Sequence, residues 1–347
     1  MSAPDRRDHA QREGAPVSAL SLSVRIERVP MTAPLRITGY TFTHAETVVV
    51  ELRAGGFTGL GEASGVYFHG ETPAGMAAQI EALRGAIESG ITREHLQLQL
   101  LLPAGGARNA LDCALWALAS QRAEQPIWQL AGMSAPRPLL STHTLGAGAP
   151  HDMAAQAQAS AGTARIKLKL LGDGQDAERV QAVRRALPEA WLMVDANQGL
   201  ARDGYLALLP AFQAARVSLI EQPFPIGKES WMDGLPRPIP VAADESFLTR
   251  ADLPGLVGRF DVASIKLDKC GGFTEALGIA RQARELGLGL MVGCMVTSSL
   301  GMAPAYLIGQ LCDVCDIDGP LYITQDRVPG LQFDHGVVNM PPGVWGI

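Results

Sequence analysis

From about residue 138 onward the chain repeats strand, loop and helix at intervals of roughly 22 to 28 residues, the cadence of βα units wound around a parallel sheet. Apolar runs read as strands over residues 139–145, 165–170, 192–195, 219–221, 241–244, 264–267 and 290–293, with an eighth, shorter one near Asp316. Right-handed crossovers close that many consecutive units most economically into a (β/α) barrel, not an open sheet. Before it, residues 20–26 alternate apolar with polar and residues 47–52 are a β-branched run ended by Gly55-Gly56, so an antiparallel sheet is predicted there. Helical spacing over 74–88, 107–119 and 127–130 makes that first third α+β.

The expected architecture is therefore α/β, a TIM-type barrel with an N-terminal α+β capping domain. Residues 1–19 read as a disordered tail, 20–135 as the cap, 136–324 as the barrel, and 325–347 as a proline-rich segment returning to the cap. With 347 residues and 47% hydrophobic against 18% charged, the bulk of the chain can bury a large core. A formal charge of −6 offers no field to attract nucleic acid or an anionic membrane. Residues 286–312 carry no charge, but their glycines, Pro304 and the run Thr297-Ser298-Ser299 fit a buried strand, loop and helix better than a membrane span. Five cysteines make no disulfide framework, Cys312-x-x-Cys315 lacks a second pair for zinc, and no signal peptide is apparent, so a reducing cytoplasm is expected.

In a barrel of this kind, function sits where each strand ends. Residues 165–170 alternate, placing Lys167 and Lys169 on one face and Ile166, Leu168 and Leu170 on the other. If that face is the interior, mutual repulsion and burial are expected to lower one lysine toward a neutral base; a solvated edge strand is the alternative. The next three strands end on Asp195, Glu221 and Asp244. Three converging carboxylates call for a hard divalent cation, Mg²⁺ or Mn²⁺ in preference to zinc. Strand six supplies Lys266, across the barrel from strand two. Lysines on both sides of a substrate can remove a proton from one face and return it to the other.

The segments Lys167-Leu168-Lys169, Asp195-Ala196-Asn197, Glu221-Gln222-Pro223, Asp244-Glu245-Ser246 and Ile265-Lys266-Leu267-Asp268-Lys269-Cys270-Gly271-Gly272, in this order and spacing, resemble the muconate-lactonizing-enzyme subgroup of the enolase superfamily over nearly the whole chain after residue 20. The resemblance implies Lys169 and Lys266 as the acid/base pair, Lys167 as an electrostatic assistant near the substrate carboxylate, and Asp195, Glu221 and Asp244 as ligands of one Mg²⁺ per subunit, with Mn²⁺ as a substitute. Cys315-Asp316-Ile317-Asp318-Gly319-Pro320 is similar to the Asp-x-Asp-Gly-Pro segment of dipeptide epimerases of the L-Ala-D/L-Glu type; there Asp316 and Asp318 would hold a free α-ammonium, the alternative being that either caps the following turn. Cys294 and Ser298 also resemble this group and are expected to line the pocket, with Phe42 and Tyr67 reaching it from cap loops at 37–45 and 66–71.

The activity implied is Mg²⁺-dependent inversion of the α-carbon of the C-terminal residue of an L,L-dipeptide by two-lysine 1,1-proton transfer through an enediolate. An N-acylamino-acid racemase and a muconate-type cycloisomerase are the alternatives within the superfamily, and a catalytically silent barrel lies outside it. The expected partner is a small-molecule dipeptide, with neither nucleic acid nor membrane, and a homo-oligomer is expected because related barrels often assemble symmetrically. The 37–51 stretch holds no Lys or Arg but has Tyr40 and Phe42, so an apolar or uncharged side chain, not glutamate, is expected on the inverted residue, with His69 as the residue that could reverse this.

Overall fold

The computed structural model describes residues 20–37, 39–98 and 101–347; the tail expected over 1–19 lies outside the described residues. The cap sheet is β1 (Ser21–Ile37), β2 (Tyr40–Ala54) and β3 (Phe57–Ala63), antiparallel in that order. Gly55 and Gly56, at φ 59° and 86°, make the two-residue turn between β2 and β3, and positive φ at both positions is the geometry that follows strand twist. The expected loop at 37–45 is instead the far end of the β1–β2 hairpin, where Ile37 pairs with Tyr40, because the alternating pattern runs to the turn. The expected single helix over 74–88 is broken at Leu83 into Pro73–Ala82 and Arg84–Glu88. Arg84 explains the turn, since its guanidinium donates to the Leu22 carbonyl and to Glu88 at 2.8 Å each.

The long helix Gly106–Ala123, rich in Ala and Leu, crosses the cap sheet against β3. Two glycines permit that approach. A Cβ on Gly59 would stand 2.1 Å from the Ala114 carbonyl oxygen, and one on Gly61 2.1 Å from that of Ala110.

The chain then forms β4 (Leu139–Leu140), followed by the parallel strands β5 (His143–Leu145), β6 (Arg165–Lys169), β7 (Trp191–Asp195), β8 (Val217–Glu221), β9 (Val241–Ala243), β10 (Val262–Ile265), β11 (Gly289–Val292) and β12 (Val314–Cys315). A parallel bridge from Ser141 to Cys315 joins the two ends of this eight-stranded sheet into a barrel. The strand expected over 139–145 is thereby divided: β4 pairs with the terminal hairpin β13 (Gln332–Asp334) and β14 (Val337–Asn339), and β5 pairs with β6. Polar Ser141 and Thr142 occupy the crossover, with the Ser141 hydroxyl accepting from the Ile317 N–H. Beyond the hairpin, the Trp345 indole N–H donates to the Cys113 carbonyl and the Ile347 N–H to the Ser120 hydroxyl, both on the long cap helix.

Alternation along the strands separates two cores. Outward residues such as Ile166, Leu168, Val194, Ile220, Ile265 and Val292 pack under the helices, while Met193, Leu219, Ala242 and Met291 close the barrel interior from below. Residues 286–312 resolve into β11 and the helix Ser299–Gly309, and no helix of the described residues is long and apolar enough to cross a membrane.

The glycine contacts give a direct test. Gly61→Val drives a side chain into backbone that cannot retreat, so stability should fall by about 2 kcal/mol or more. An unchanged urea midpoint would show that the helix can move off β3.

Candidate active site

On β7 to β10 an inward-facing residue low in the barrel is followed two positions further on by a charged one. Met193 is followed by Asp195, Leu219 by Glu221, Ala242 by Asp244, and Ser264 by Lys266; β6 contributes Lys167 and then Lys169. All these charged side chains are buried. Lys167 is the hub: its Nζ lies 3.1 Å from Asp195, 2.6 Å from Glu221 and 2.7 Å from Asp316. Lys169 faces Asp195 at 2.5 Å, and Lys266 faces Asp244 at 2.6 Å. Lys169 and Lys266 each keep 8% exposure against 2% for Lys167, so those two open to the cavity above.

At Lys167 these carboxylates act against the lowering expected from crowding. Burial alone would lower Lys167, but Asp316, Glu221 and Asp195 outweigh it and hold the ammonium well above its ordinary value; Lys266 is likewise raised against burial by Asp244 and Glu221. The lysine that is lowered, chiefly by burial, is Lys269. Its Nζ donates to Asp244 Oδ1 and to the Asp244 carbonyl at 2.6 Å each, fixing one carboxylate oxygen and leaving the other toward Lys266.

Neighbouring strand ends are tied together. The Gln222 side-chain oxygen accepts the N–H groups of Asp244 and Ser246, and its amide donates to Ser246 and to the Phe224 carbonyl. Asn197 and Gln222 have φ of 40° and 37°, an uncommon conformation for non-glycine residues that turns the chain sharply after Asp195 and Glu221. Asn197 also donates to Glu245 at 3.2 Å.

The donors suit a divalent cation. Burial, reinforced by Asp195, pushes Glu221 up to about 8; burial with Asp244 and Asp195 pushes Glu245 up to about 7. Burial opposes ionisation of Asp195 and Asp244 too, but their lysines hold both below the usual carboxylate range. Asn197 Oδ1 and Glu245 Oε2 are buried without a hydrogen-bond partner, and Glu221 Oε2 touches Lys167 without hydrogen-bond geometry. Surplus negative charge and unclaimed hard oxygens fit Mg²⁺ on Asp195, Glu221 and Asp244. Among the described residues the acids do not form a ready cage of three or more, because lysine ammonium groups stand between them.

At β12 the two aspartates differ. Asp316 is engaged on both oxygens, by Thr142 and by Lys167, and these hold it below its ordinary value despite burial. Asp318 accepts the Thr144 N–H at 2.7 Å and the Tyr322 hydroxyl at 2.8 Å, both on Oδ2, while burial and Asp316 raise its carboxyl. Both aspartates line a cavity of about 200 Å³, together with Lys167, Lys169, Lys266, Cys294, Phe42 and Tyr67. Burial pushes the Cys294 thiol well up, so it lines the cavity as a neutral group.

Ser298 is not in that lining and departs from the expected role. Its hydroxyl donates to Glu62 at 2.5 Å and accepts from Arg327, tying β3 to the barrel because Glu62 is buried and needs donors. Lys269, Gln222, Asn197 and Glu245 lie inside the motif segments, but strand alternation alone does not single them out. Thr142, Thr144 and Tyr322 had no local signal, since their roles arise when β12 meets β5.

Family models match two stretches: "Mandelate racemase / muconate lactonizing enzyme, N-terminal domain" over residues 20–132 and "Enolase C-terminal domain-like" over 152–344. The chain is 39% identical over 316 residues to the L-Ala-D/L-Glu epimerase of Escherichia coli K12, covering 90% of this chain and 98% of that one. A solved enolase family member from Agrobacterium tumefaciens, described as homologous to dipeptide epimerases and holding sodium and L-Ala-L-Glu, superposes with a TM-score of 0.91 at 40% identity, covering 94% of this chain and all of that one. The Methylococcus capsulatus dipeptide epimerase in complex with Mg and L-Arg-D-Lys superposes with a TM-score of 0.87 at 33% identity, covering 94% and 99%.

One small residue sets the Lys266 position. A Cβ on Gly293 would stand 2.9 Å from Lys266 Cε. Gly293→Ala should displace the lysine and lower kcat about 100-fold with thermal stability nearly unchanged. Full kcat in that variant would show that Lys266 is placed by other contacts.

Proposed function

The chain belongs to the mandelate racemase/muconate lactonizing enzyme family of the enolase superfamily and is an isomerase, and from that premise we propose that it is a Mg²⁺-dependent dipeptide epimerase inverting the α-carbon of the C-terminal residue of an L,L-dipeptide. The observation that carries this reading is a pair of lysines four strands apart in an eight-stranded barrel, on β6 and just after β10, both opening to one cavity that Asp318 also lines. The magnesium in the M. capsulatus complex supports the choice of metal.

A Mg²⁺ ion on Asp195, Glu221 and Asp244 would supply positive charge where the substrate carboxylate gathers negative charge. Lys169 and Lys266 then flank the α-carbon from opposite sides: the neutral one of the pair takes the α-proton, giving the enediolate, and the other, as ammonium, returns a proton to the opposite face. Lys167 stays charged among its three carboxylates and adds electrostatic support. Asp318 receives the α-ammonium, with Asp316 contributing charge from its pair with Lys167. An N-acylated or cycloisomerase substrate has no ammonium for the Asp318 carboxylate, which is why the dipeptide is preferred. Mn²⁺ substitutes for Mg²⁺ through the same oxygens. The five free cysteines suit action in the cytoplasm.

Two measurements test this. Incubation with Mg²⁺ and a pooled L,L-dipeptide library in D₂O should add one mass unit to the C-terminal residue of particular dipeptides, and either Lys169→Ala or Lys266→Ala should lower inversion by about 1,000-fold or more. Full activity in either variant refutes the two-base assignment. Chelation with EDTA should abolish exchange and lower Tm, with Mg²⁺ or Mn²⁺ restoring both; exchange that survives chelation removes the metal from the mechanism.

A further inference from the structure

We propose that the inverted residue carries an uncharged, apolar side chain, aromatic or branched aliphatic, seated against Phe42 and Tyr67; this rests on the dipeptide reading above. Three groups on an α-carbon placed between Lys169 and Lys266 are already assigned. The carboxylate points to the Asp195, Glu221 and Asp244 end, the amide leads toward Asp318, and the proton faces one lysine. The barrel floor is closed by Met193, Leu219 and Met291, so the remaining substituent projects outward to the cap.

What it meets there is aromatic. Phe42 and Tyr67 lie 5.1 Å apart between ring centroids, edge to face at 71°, and Tyr40 buttresses both at 6.0 and 4.7 Å. Tyr67 stands over the catalytic end: burial raises its hydroxyl, and Lys266, Glu245 and Asp244 are the foremost charges acting on it. Leu35 and Ile37 of β1 and Met295 and Val296 after β11 complete an apolar wall.

Among the described residues, the cap side of this lining holds no lysine or arginine to answer a side-chain carboxylate. The three lysines lining the cavity are on the barrel side, each within ion-pair reach of an acid. His44 is engaged at Nδ1, which lies 3.2 Å from the Arg28 guanidinium and 3.0 Å from the Thr43 hydroxyl. Arg36 lines a separate cleft with Arg179, and His69 is exposed beside Phe68, so the histidine that could have reversed the expectation is outside the cavity lining. The cap-side charges are Glu46 and Glu71, and a glutamate substrate would bring a third carboxylate to them. Neither is free to favour a cationic substrate. Glu46 pairs with Arg28 at 2.8 Å, and Glu71 accepts the N–H groups of Val66 and Gly106 at 2.7 and 3.1 Å.

The test is the rate of α-proton exchange in D₂O, with Mg²⁺ present, for L-Ala-L-Phe, L-Ala-L-Leu, L-Ala-L-Glu and L-Ala-L-Lys. The expected result is a kcat/KM at least about tenfold higher for Phe and Leu than for Glu and Lys, with Phe42→Arg narrowing or reversing the Phe-to-Glu ratio. Phe42→Leu, a milder change, should lower the Phe-to-Leu ratio and guards against misfolding of the arginine variant. A Glu or Lys substrate that matches or exceeds Phe and Leu overturns the inference and leaves the epimerase reading standing. Exchange with none of the four overturns both.

Discussion

Buried charge that must be balanced governs the open end of the barrel. Lys167, Lys169, Lys266 and Lys269 stand among Asp195, Glu221, Asp244, Glu245 and Asp316, all screened from water. In such surroundings an isolated ion is costly, and each group is tolerable because its neighbours carry the opposite sign. The arrangement is a lattice more than a set of pairs: Lys167 alone answers three strands, so moving any one carboxylate alters the field at several others. Acids still exceed what the lysines satisfy, and the lifted carboxyls of Glu221 and Glu245 mark where the surplus lies.

The segment that carries Lys266 also fastens the roof. Lys266 faces the cavity, and two residues on, Asp268 accepts the N–H groups of Ser64 and Gly65 at 2.9 and 2.8 Å, at the foot of the turn that carries Tyr67. Burial pushes Asp268 up to about 7, against the lowering effect of these same N–H donors. Glu62, through Ser298 and Arg327, makes a second clasp on the other side of β3. Cap and barrel are therefore held together close to the cavity that both of them line.

Much of this was legible in the chain. Strand ends could be read because alternation inside a barrel forces apolar floor and polar rim onto the same face, which made Lys167, Lys169, Asp195, Glu221, Asp244 and Lys266 visible by position. The state of the lysines was not legible: Lys167 and Lys169 are adjacent in pattern, but carboxylates from three other strands surround them. Nor was the division of residues 139–145, since nothing local tells Leu139 that its partner is Val338, far along the chain. Ser298 misled because a hydroxyl beside a strand end suits either a substrate or a buried acid, and Glu62, distant in sequence, decides between them.

The contact from Trp345 to Cys113 joins residues 232 positions apart. Synthesis runs in one direction, so the cap helix leaves the ribosome with one flank bare, and its covering arrives after every barrel strand has been made. Gly346 packs near Ile127 and Ser120 in the same region, in a space that admits nothing larger without displacement. The order of manufacture thus makes the cap's final seating a late event, one that reports on whether the barrel beneath it has already closed.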